Sequence, residues 1–221
     1  MAANAFIFDL NGTIIDDMHY HTEAWFTILN NDLGASLTWQ EVKAQMYGKN
    51  EELLIRVFGD NHFTADEMKK WSLEKEKRYQ QAFLPQLKLI NGLAGFLQKV
   101  NEEHIPMAIG SAAIPFNIDF VLDNLHIRHY FKAIVSAADV RESKPHPQTF
   151  LDAARLLNIP PAGCIVFEDA PKGVEAAHNA GMKAVVLTTM HEQAEFENYP
   201  NIIGFVKDYT DPLCEQLFTL Q

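Results

Sequence analysis

Cysteine is nearly absent: Cys164 and Cys214 are the only two in 221 residues. That excludes a disulfide-built scaffold and suits a reducing compartment. Cys164 opens an apolar run and reads as a small buried hydrophobe. A long hydrophobic run is missing too. No stretch of about 18 apolar residues occurs, so no membrane-spanning helix is expected. Met1-Ala2-Ala3-Asn4 has no basic region and no leader-length apolar run. It passes straight into Ala5-Phe6-Ile7-Phe8, which reads as a first core strand and not as a signal peptide. Positive charge is scarce as well. Eighteen Lys and Arg against 29 Asp and Glu leave a formal charge of −11. Such a field repels polyanions, which argues against a nucleic-acid partner. It also opposes a phosphorylated substrate, so any phosphate site here must gather local positive charge. No histidine spacing suggests zinc. These absences point to a cytoplasmic protein with neither membrane nor nucleic-acid partners; the oligomeric state is open, with a monomer as the default.

Apolar residues make up 48% of the chain, enough for a sizeable core, and the length suits one large domain or a core with an insert. Short apolar runs bounded by turn residues recur at Ala5–Phe8, Met107–Ile109, Ala133–Val135, Cys164–Phe167 and Ala184–Leu187. Their length and flanks predict buried parallel strands. Helix-period segments lie between them, at Leu93–Glu103, Pro115–Leu125, Pro147–Leu157, Gly173–Ala180 and Pro212–Leu220. That alternation predicts a doubly wound α/β sheet. From about Asp17 to Phe83 the alternation stops and only helical patterns appear: Met18–Leu33, Trp39–Met46, Glu51–Val57 and Thr64–Ala82. Thr38-Trp39-Gln40-Glu41 and Thr64-Ala65-Asp66-Glu67 each carry the Thr-x-x-Glu signature of a helix start. Pro85 interrupts the chain just after the last helix. The expected architecture is an α/β core over 1–15 and 88–221 with an all-helical insert over 16–87.

Ligands of open α/β sheets sit beyond the carboxyl ends of the strands. Asp9-Leu10-Asn11-Gly12-Thr13 follows the first strand, Gly110-Ser111 the second and Glu168-Asp169 the fourth, while Lys144-Pro145 precedes the helix near Phe150. Carboxylates, hydroxyls and one lysine therefore end on one rim, a set suited to a hard metal ion and a phosphate. Mg²⁺ takes oxygen ligands from a few carboxylates plus substrate, and Asp9 and Asp169 can supply them. A carboxylate that attacks phosphorus must be ionised, which nearby metal and lysine charge favours. Lys144 and the hydroxyls of Thr13 and Ser111 can hold phosphoryl oxygens, where transition-state charge lies. Gly12 lets the backbone turn and approach closely.

Taken singly these segments have blander readings: Asp-x-Asn-Gly as a turn, Glu168-Asp169 as a helix cap, Lys144-Pro145-His146-Pro147 as a loop and helix start. Together, Phe6-Ile7-Phe8-Asp9-Leu10-Asn11-Gly12-Thr13, Ile109-Gly110-Ser111, Lys144-Pro145 and Val166-Phe167-Glu168-Asp169 resemble the four ordered motifs of the haloacid dehalogenase superfamily. The resemblance runs to about Leu187, and the helical insert matches that family's cap between motifs one and two. Tyr20-His21-x-x-Ala24-Trp25 and Glu168-Asp169-Ala170-x-x-Gly173-Val174 resemble the branch of β-phosphoglucomutases and sugar-phosphate phosphatases.

The resemblance implies a Rossmann-like core with a helical cap, a Mg²⁺ cofactor and an aspartyl phosphate formed on Asp9. It implies that Asp9, the backbone carbonyl of Asn11 and Asp169 hold the metal, with Glu168 at its edge. Ser111 and Lys144 would bind the transferring phosphoryl group, with Thr13 and Ala112 beside them. His21 matches a cap-hinge residue, and Lys75 a lysine that reaches toward the substrate. On its own, His21 reads as a partly buried packing histidine, and Lys75 as part of a solvated face in the mixed-charge run Glu74-Lys75-Glu76-Lys77-Arg78.

Asn11 departs from the pattern. The family places there an Asp that protonates the leaving group and then activates water. An amide does neither, and losing a positioned acid–base group costs about 10²–10⁴ in rate. Three readings follow: an enzyme slowed at its second step, an Asp-to-Asn substitution introduced into the chain, or a phosphate-binding protein without turnover. His19, His21 and Asp17 are substitute proton carriers to consider. A mutase reading meets further departures. In the loop Tyr47-Gly48-Lys49-Asn50-Glu51 the expected arginine falls at Glu51, leaving Lys49 to compensate. After Ser111, Ala112-Ala113-Ile114-Pro115 lacks polar residues. A phosphatase acting on a small phosphorylated metabolite, a sugar phosphate favoured, is the expectation. Trp25, Trp39 and Trp71 are expected in core packing; Met46 and Tyr47, near the cap loop, are expected there too, with the substrate cavity as their alternative.

Overall fold

The computed structural model describes residues 4–218. Met1-Ala2-Ala3 and the expected end of the last helix, Thr219-Leu220, lie outside them. The chain forms two compact units: one runs to Asp16 and resumes at Lys88, and the other is Asp17–Leu87.

Strand β1 (Ala5–Phe8) opens the first unit. The chain then enters four helices: α1 (Met18–Thr27), α2 (Trp39–Lys43), α3 (Asn50–Phe58) and α4 (Ala65–Phe83). On return it gives α5 (Leu93–Glu102), β2 (Met107–Gly110), α6 (Pro115–Asn124), β3 (Phe131–Val135), α7 (Gln148–Leu157) and β4 (Cys164–Glu168). It ends with α8 (Pro171–Asn179), β5 (Lys183–Leu187), β6 (Ile202–Val206) and α9 (Pro212–Gln216).

The sheet order is β3-β2-β1-β4-β5-β6, with every pairing parallel. This is the doubly wound fold expected from the alternation. The order reverses between β1 and β4, the crevice where such sheets place ligands. Side chains alternate across the two central strands. Ala5 and Ile7 of β1 join Cys164 and Val166 of β4 in an aliphatic layer with Phe150, Val174 and Ala177. Phe6, Phe8 and Phe167 face the other way into an aromatic layer with Phe96 and Tyr209. The rings of Phe8 and Phe167 stack 4.8 Å apart. Both cysteines are free and buried.

β6 has no counterpart among the expected strands. Gly204 breaks its apolar run and it sits half-buried at the sheet edge, so neither a buried run nor a clean alternation marks it.

In the helical unit, Thr38 and Thr64 each accept a hydrogen bond from the backbone of Glu41 and Glu67, whose carboxylates return to the threonine N–H. Both capping boxes are therefore as the sequence signals. The expected helix from Met18 to Leu33 is α1 continued by a wider turn, Ile28–Asp32. Trp25, Ile28, Leu29, Val42, Leu53 and Leu54 form the core of this unit, with Met46 and Trp71 packed on it. Trp39 lies against Phe26. Tyr47 departs from expectation: it is 47% exposed, and its ring carries the Arg56 guanidinium 3.9 Å from the centroid. Among the described residues no helix is long and apolar enough to cross a membrane.

Candidate active site

Register brings the first carboxylates together. Phe8 pairs with Phe167, so the next residues, Asp9 and Glu168, end adjacent strands side by side. The Asp9 N–H donates to Phe167 O at 2.9 Å. By alternation both side chains follow Ile7 and Val166 onto the aliphatic face, the face on which α7 packs. Lys144 comes from the loop before α7. Its Nζ lies 4.6 Å from the Phe150 ring centroid and donates to Asp9 Oδ1 and to Glu168 Oε1, both at 2.7 Å.

Glu168 is fully engaged. Its other oxygen, Oε2, accepts the N–H groups of Asp169 and Ala170 at 2.9 Å each, where α8 begins. A helix N-terminus favours such a charge. Gly173, in the first turn of α8, makes the room: a Cβ there would lie 1.7 Å from Glu168 Oε1. The spacing Glu168-Asp169-Ala170-x-x-Gly173 thus has a steric cause. Gly12 does the same for the neighbouring carboxylate. It adopts φ +74°, and a Cβ on it would lie 2.0 Å from Asp169 Oδ2.

Past Asp9 the chain turns tightly. The Ile14 N–H donates to Leu10 O and the Gly12 N–H to Ile15 O, both at 2.8 Å, with Asn11 paired to Ile15 at the mouth of the turn. Asn11 is half-buried. The Thr13 hydroxyl is fully buried and finds no hydrogen-bond partner. Ser111 follows β2; its N–H donates to Val135 O at 3.0 Å, and its hydroxyl accepts from the Ala113 N–H at 3.1 Å. That leaves the Ser111 proton to donate elsewhere. Ala112 lies half-buried beside it.

Asp9, Glu168 and Asp169 are 7%, 2% and 4% exposed, and the Lys144 ammonium bridges the first two. Burial lifts the Asp9 carboxyl to about 7, with Lys144 pulling it down and Glu168 pushing it up. Burial opposes the charge on Lys144, but Asp9 and Glu168 outweigh it and hold that pKa above the lysine range. A divalent cation beside Asp9 and Asp169 would favour the ionised form of both. Among the described residues no three His, Cys, Asp or Glu side chains converge to hold a metal. An ion here would therefore draw on two carboxylates, backbone carbonyl and water. That all-oxygen, partly hydrated set fits Mg²⁺.

A second polar group lies wholly in the helical unit. Lys75 Nζ is 2.6 Å from His21 Nδ1, and 3.0 and 3.1 Å from the two oxygens of Glu76. Because an ammonium only donates, Nδ1 accepts, and His21 Nε2 carries the proton facing Asp17 Oδ2 at 3.2 Å. Tyr79 donates to the same Asp17 oxygen at 2.5 Å, and its ring stacks on His21 with centroids 3.7 Å apart. Asn50 donates to Glu76 Oε1 at 2.6 Å, tying in the loop that bears Lys49. The sequence pairs neither His21 with Lys75 nor Lys75 with Glu76. Lys75 is only 3% exposed and is not on a solvated face. The signal was present in the helix period, since Ser72, Lys75, Glu76, Tyr79 and Phe83 make one buried stripe of α4.

Known proteins share this sequence pattern and fold. Residues 6–187 match the family model for haloacid dehalogenase-like hydrolases. The chain is 32% identical over 190 residues to fructose-1-phosphate phosphatase YqaB of Escherichia coli, covering 81% of this chain and 93% of that protein. It is 34% identical over 187 residues to β-phosphoglucomutase of Bacillus subtilis, covering 82% and 81%. The crystal structure of a Clostridium difficile β-phosphoglucomutase superposes with a TM-score of 0.82 at 26% identity, covering 98% and 97%. The chain belongs to the haloacid dehalogenase-like hydrolases.

Proposed function

We propose that this member of the haloacid dehalogenase-like hydrolases is a Mg²⁺-dependent phosphatase of a small phosphorylated metabolite, with a sugar phosphate the favoured substrate. One observation carries the reading. Asp9 follows β1 at the point where the strand order reverses, 2.7 Å from the Lys144 ammonium and beside Glu168. The named activities of the relatives, a sugar-phosphate phosphatase and a phosphosugar mutase, support the same substrate class.

In this mechanism Asp9 is the nucleophile. Its attack on phosphorus forms an Asp9–phosphate bond and breaks the bond to the substrate oxygen, which takes a proton from water and leaves as the alcohol; water then cleaves the aspartyl phosphate, releasing inorganic phosphate and restoring the Asp9 carboxylate. Lys144 screens the approach of carboxylate to phosphate and, with the Ser111 hydroxyl, holds the phosphoryl oxygens as charge builds. Thr13 lines the same turn. Asp9, Asp169 and the Asn11 carbonyl would hold Mg²⁺, with Glu168 orienting Lys144 from the edge. Bound there, the ion supplies positive charge to the phosphoryl oxygens and keeps Asp9 ionised. His21, Lys49 and Lys75 are the proposed substrate contacts of the helical domain. The ammonium of Lys75 is already paired with Glu76, which favours recognition of a hydroxylated group over a second phosphate.

Asn11 cannot move a proton, so a sugar hydroxyl leaves slowly and water attacks slowly; with a donor whose leaving group needs no proton, such as acetyl phosphate, hydrolysis of the aspartyl phosphate is the slow step. Glu51 in place of the arginine, and Ala112-Ala113 after Ser111, favour phosphatase over mutase. Kinetics with Mg²⁺ over sugar phosphates, nucleotides and pyrophosphate test this on the chain, on Asn11→Asp and on Asp9→Asn. Turnover in the first two, faster with Asp, and none in Asp9→Asn is expected. No turnover in any form would favour a phosphate-ligand-binding protein.

A further inference from the structure

Two hydroxyls from late in the chain close the turn that follows Asp9. Thr189, just past β5, donates from Oγ1 to Gly12 O at 2.7 Å. Tyr209, just past β6, donates from its phenol to Thr13 O at 3.1 Å. Both carbonyls belong to buried residues beyond the paired part of β1, where an unmet carbonyl is costly. A trans peptide is planar, so holding its carbonyl or its N–H holds the whole unit. Three successive units are held in this way: Asn11–Gly12 through the Gly12 N–H to Ile15 O, Gly12–Thr13 by Thr189, and Thr13–Ile14 by Tyr209.

Tyr209 is itself fixed. It is 5% exposed, and its ring centroid lies 5.4 Å from that of Phe96 and 5.6 Å from that of Phe167. Its N–H donates to Asn91 O at 3.0 Å, while the adjoining Ile90 N–H donates to Ile14 O at 2.9 Å. It therefore bonds both the segment that leaves the α/β core and the one that returns to it. Burial above all, with Cys214, Asp9 and Asp169 nearby, pushes the phenol pKa well up, so its proton stays available to Thr13.

We propose that Thr189 and Tyr209 are positioning residues for the reaction. By holding the carbonyls of Gly12 and Thr13, they set the direction of the Asn11 carbonyl and the seating of Gly12 against Asp169, and so fix the oxygen set offered to the cation. The inference rests on the functional reading above. Neither residue falls in the four motifs; the fold brings them in from 177 and 196 residues away.

The test compares the full chain with Thr189→Val, Thr189→Ser and Tyr209→Phe, reading backbone hydrogen exchange over residues 9–16 and Mg²⁺ affinity by titration. Loss of either hydroxyl should speed exchange in that segment by about tenfold, leave β2 unchanged, and weaken Mg²⁺ binding by about three- to tenfold. Thr189→Ser should match the parent in both. If Mg²⁺ binds the parent, Thr189→Val and Tyr209→Phe equally well, the inference is overturned and the functional reading stands. Faster exchange with unchanged affinity overturns it too, because the hydroxyls would then serve the fold alone, as does a Thr189→Ser as defective as Thr189→Val. A parent chain that takes up no Mg²⁺ overturns the functional reading, and this inference with it.

Discussion

Lys144 donates to Asp9 Oδ1 at 2.7 Å across 135 residues of sequence. The same ammonium also serves Glu168, so the two carboxylates compete for one positive charge. This competition, inside a buried crevice, sets the properties of the metal-free protein.

Asp9 is the first of these. Its carboxyl is raised from 3.8 to about 7, chiefly by burial. A carboxylate raised on folding stabilises fully below its unfolded pKa, and that contribution is lost as pH climbs through the folded value. In EDTA the protein should therefore lose stability between about pH 4 and pH 7 through Asp9, by roughly 2–4 kcal/mol. Asp9→Asn removes the ionisation while leaving Lys144 its bond to Glu168. Thermal unfolding in EDTA should show Asp9→Asn stabilising at pH 8 and not at pH 5. Equal effects at both pH values would contradict the assignment.

Two glycines make space for the other carboxylates. Gly12→Ala would place a methyl 2.0 Å from Asp169 Oδ2 at a φ of +74°, and Gly173→Ala one 1.7 Å from Glu168 Oε1. Each should destabilise by about 1–3 kcal/mol. Gly12→Ala, by displacing Asp169, should also weaken Mg²⁺ binding by at least about tenfold. Paired unfolding and Mg²⁺ titrations check this; normal affinity in Gly12→Ala would mean Asp169 is not a ligand.

The helical domain holds a buried ion pair, Lys75–Glu76, with Nζ and Oε1 3.0 Å apart. Breaking such a pair leaves an uncompensated charge and costs about 3–5 kcal/mol, whereas replacing both partners with apolar groups is often nearly neutral. Glu76→Leu should therefore lower the urea midpoint markedly, and adding Lys75→Met should recover much of the loss. A double variant worse than the single one would contradict this reading.

The sequence displays the α/β alternation, the helical insert and the motif rim because these rest on local period and on residues next to strand ends. Asp9 and Glu168 are legible for that reason: each follows a continuous apolar run. Their register, which places them side by side, is a pairing between strands and is not written in either one. Gly173 is visible as a motif position, but its reason is the volume of Glu168. Thr189 and Tyr209 follow the last two strands with no motif around them, and β6 itself is broken by Gly204. Lys75 and His21 are 54 residues apart, and only the packing of α1 on α4 puts them in contact. Tyr47, next to the cap loop, reads as core or cavity lining; its ring instead carries the Arg56 guanidinium at the surface.

In the proposed mechanism Asp9 takes the phosphoryl group and Asn11 delays its release. Incubation with Mg²⁺ and acetyl phosphate, followed by acid quench and peptide mass analysis, tests it directly. The expected result is one phosphoryl group on the peptide that contains Asp9, stable to acid, released by base and absent from Asp9→Asn. It should turn over faster in Asn11→Asp by about 10²–10⁴. An Asp9→Asn protein that hydrolyses the donor as fast as the parent, with no label on either, would contradict the account.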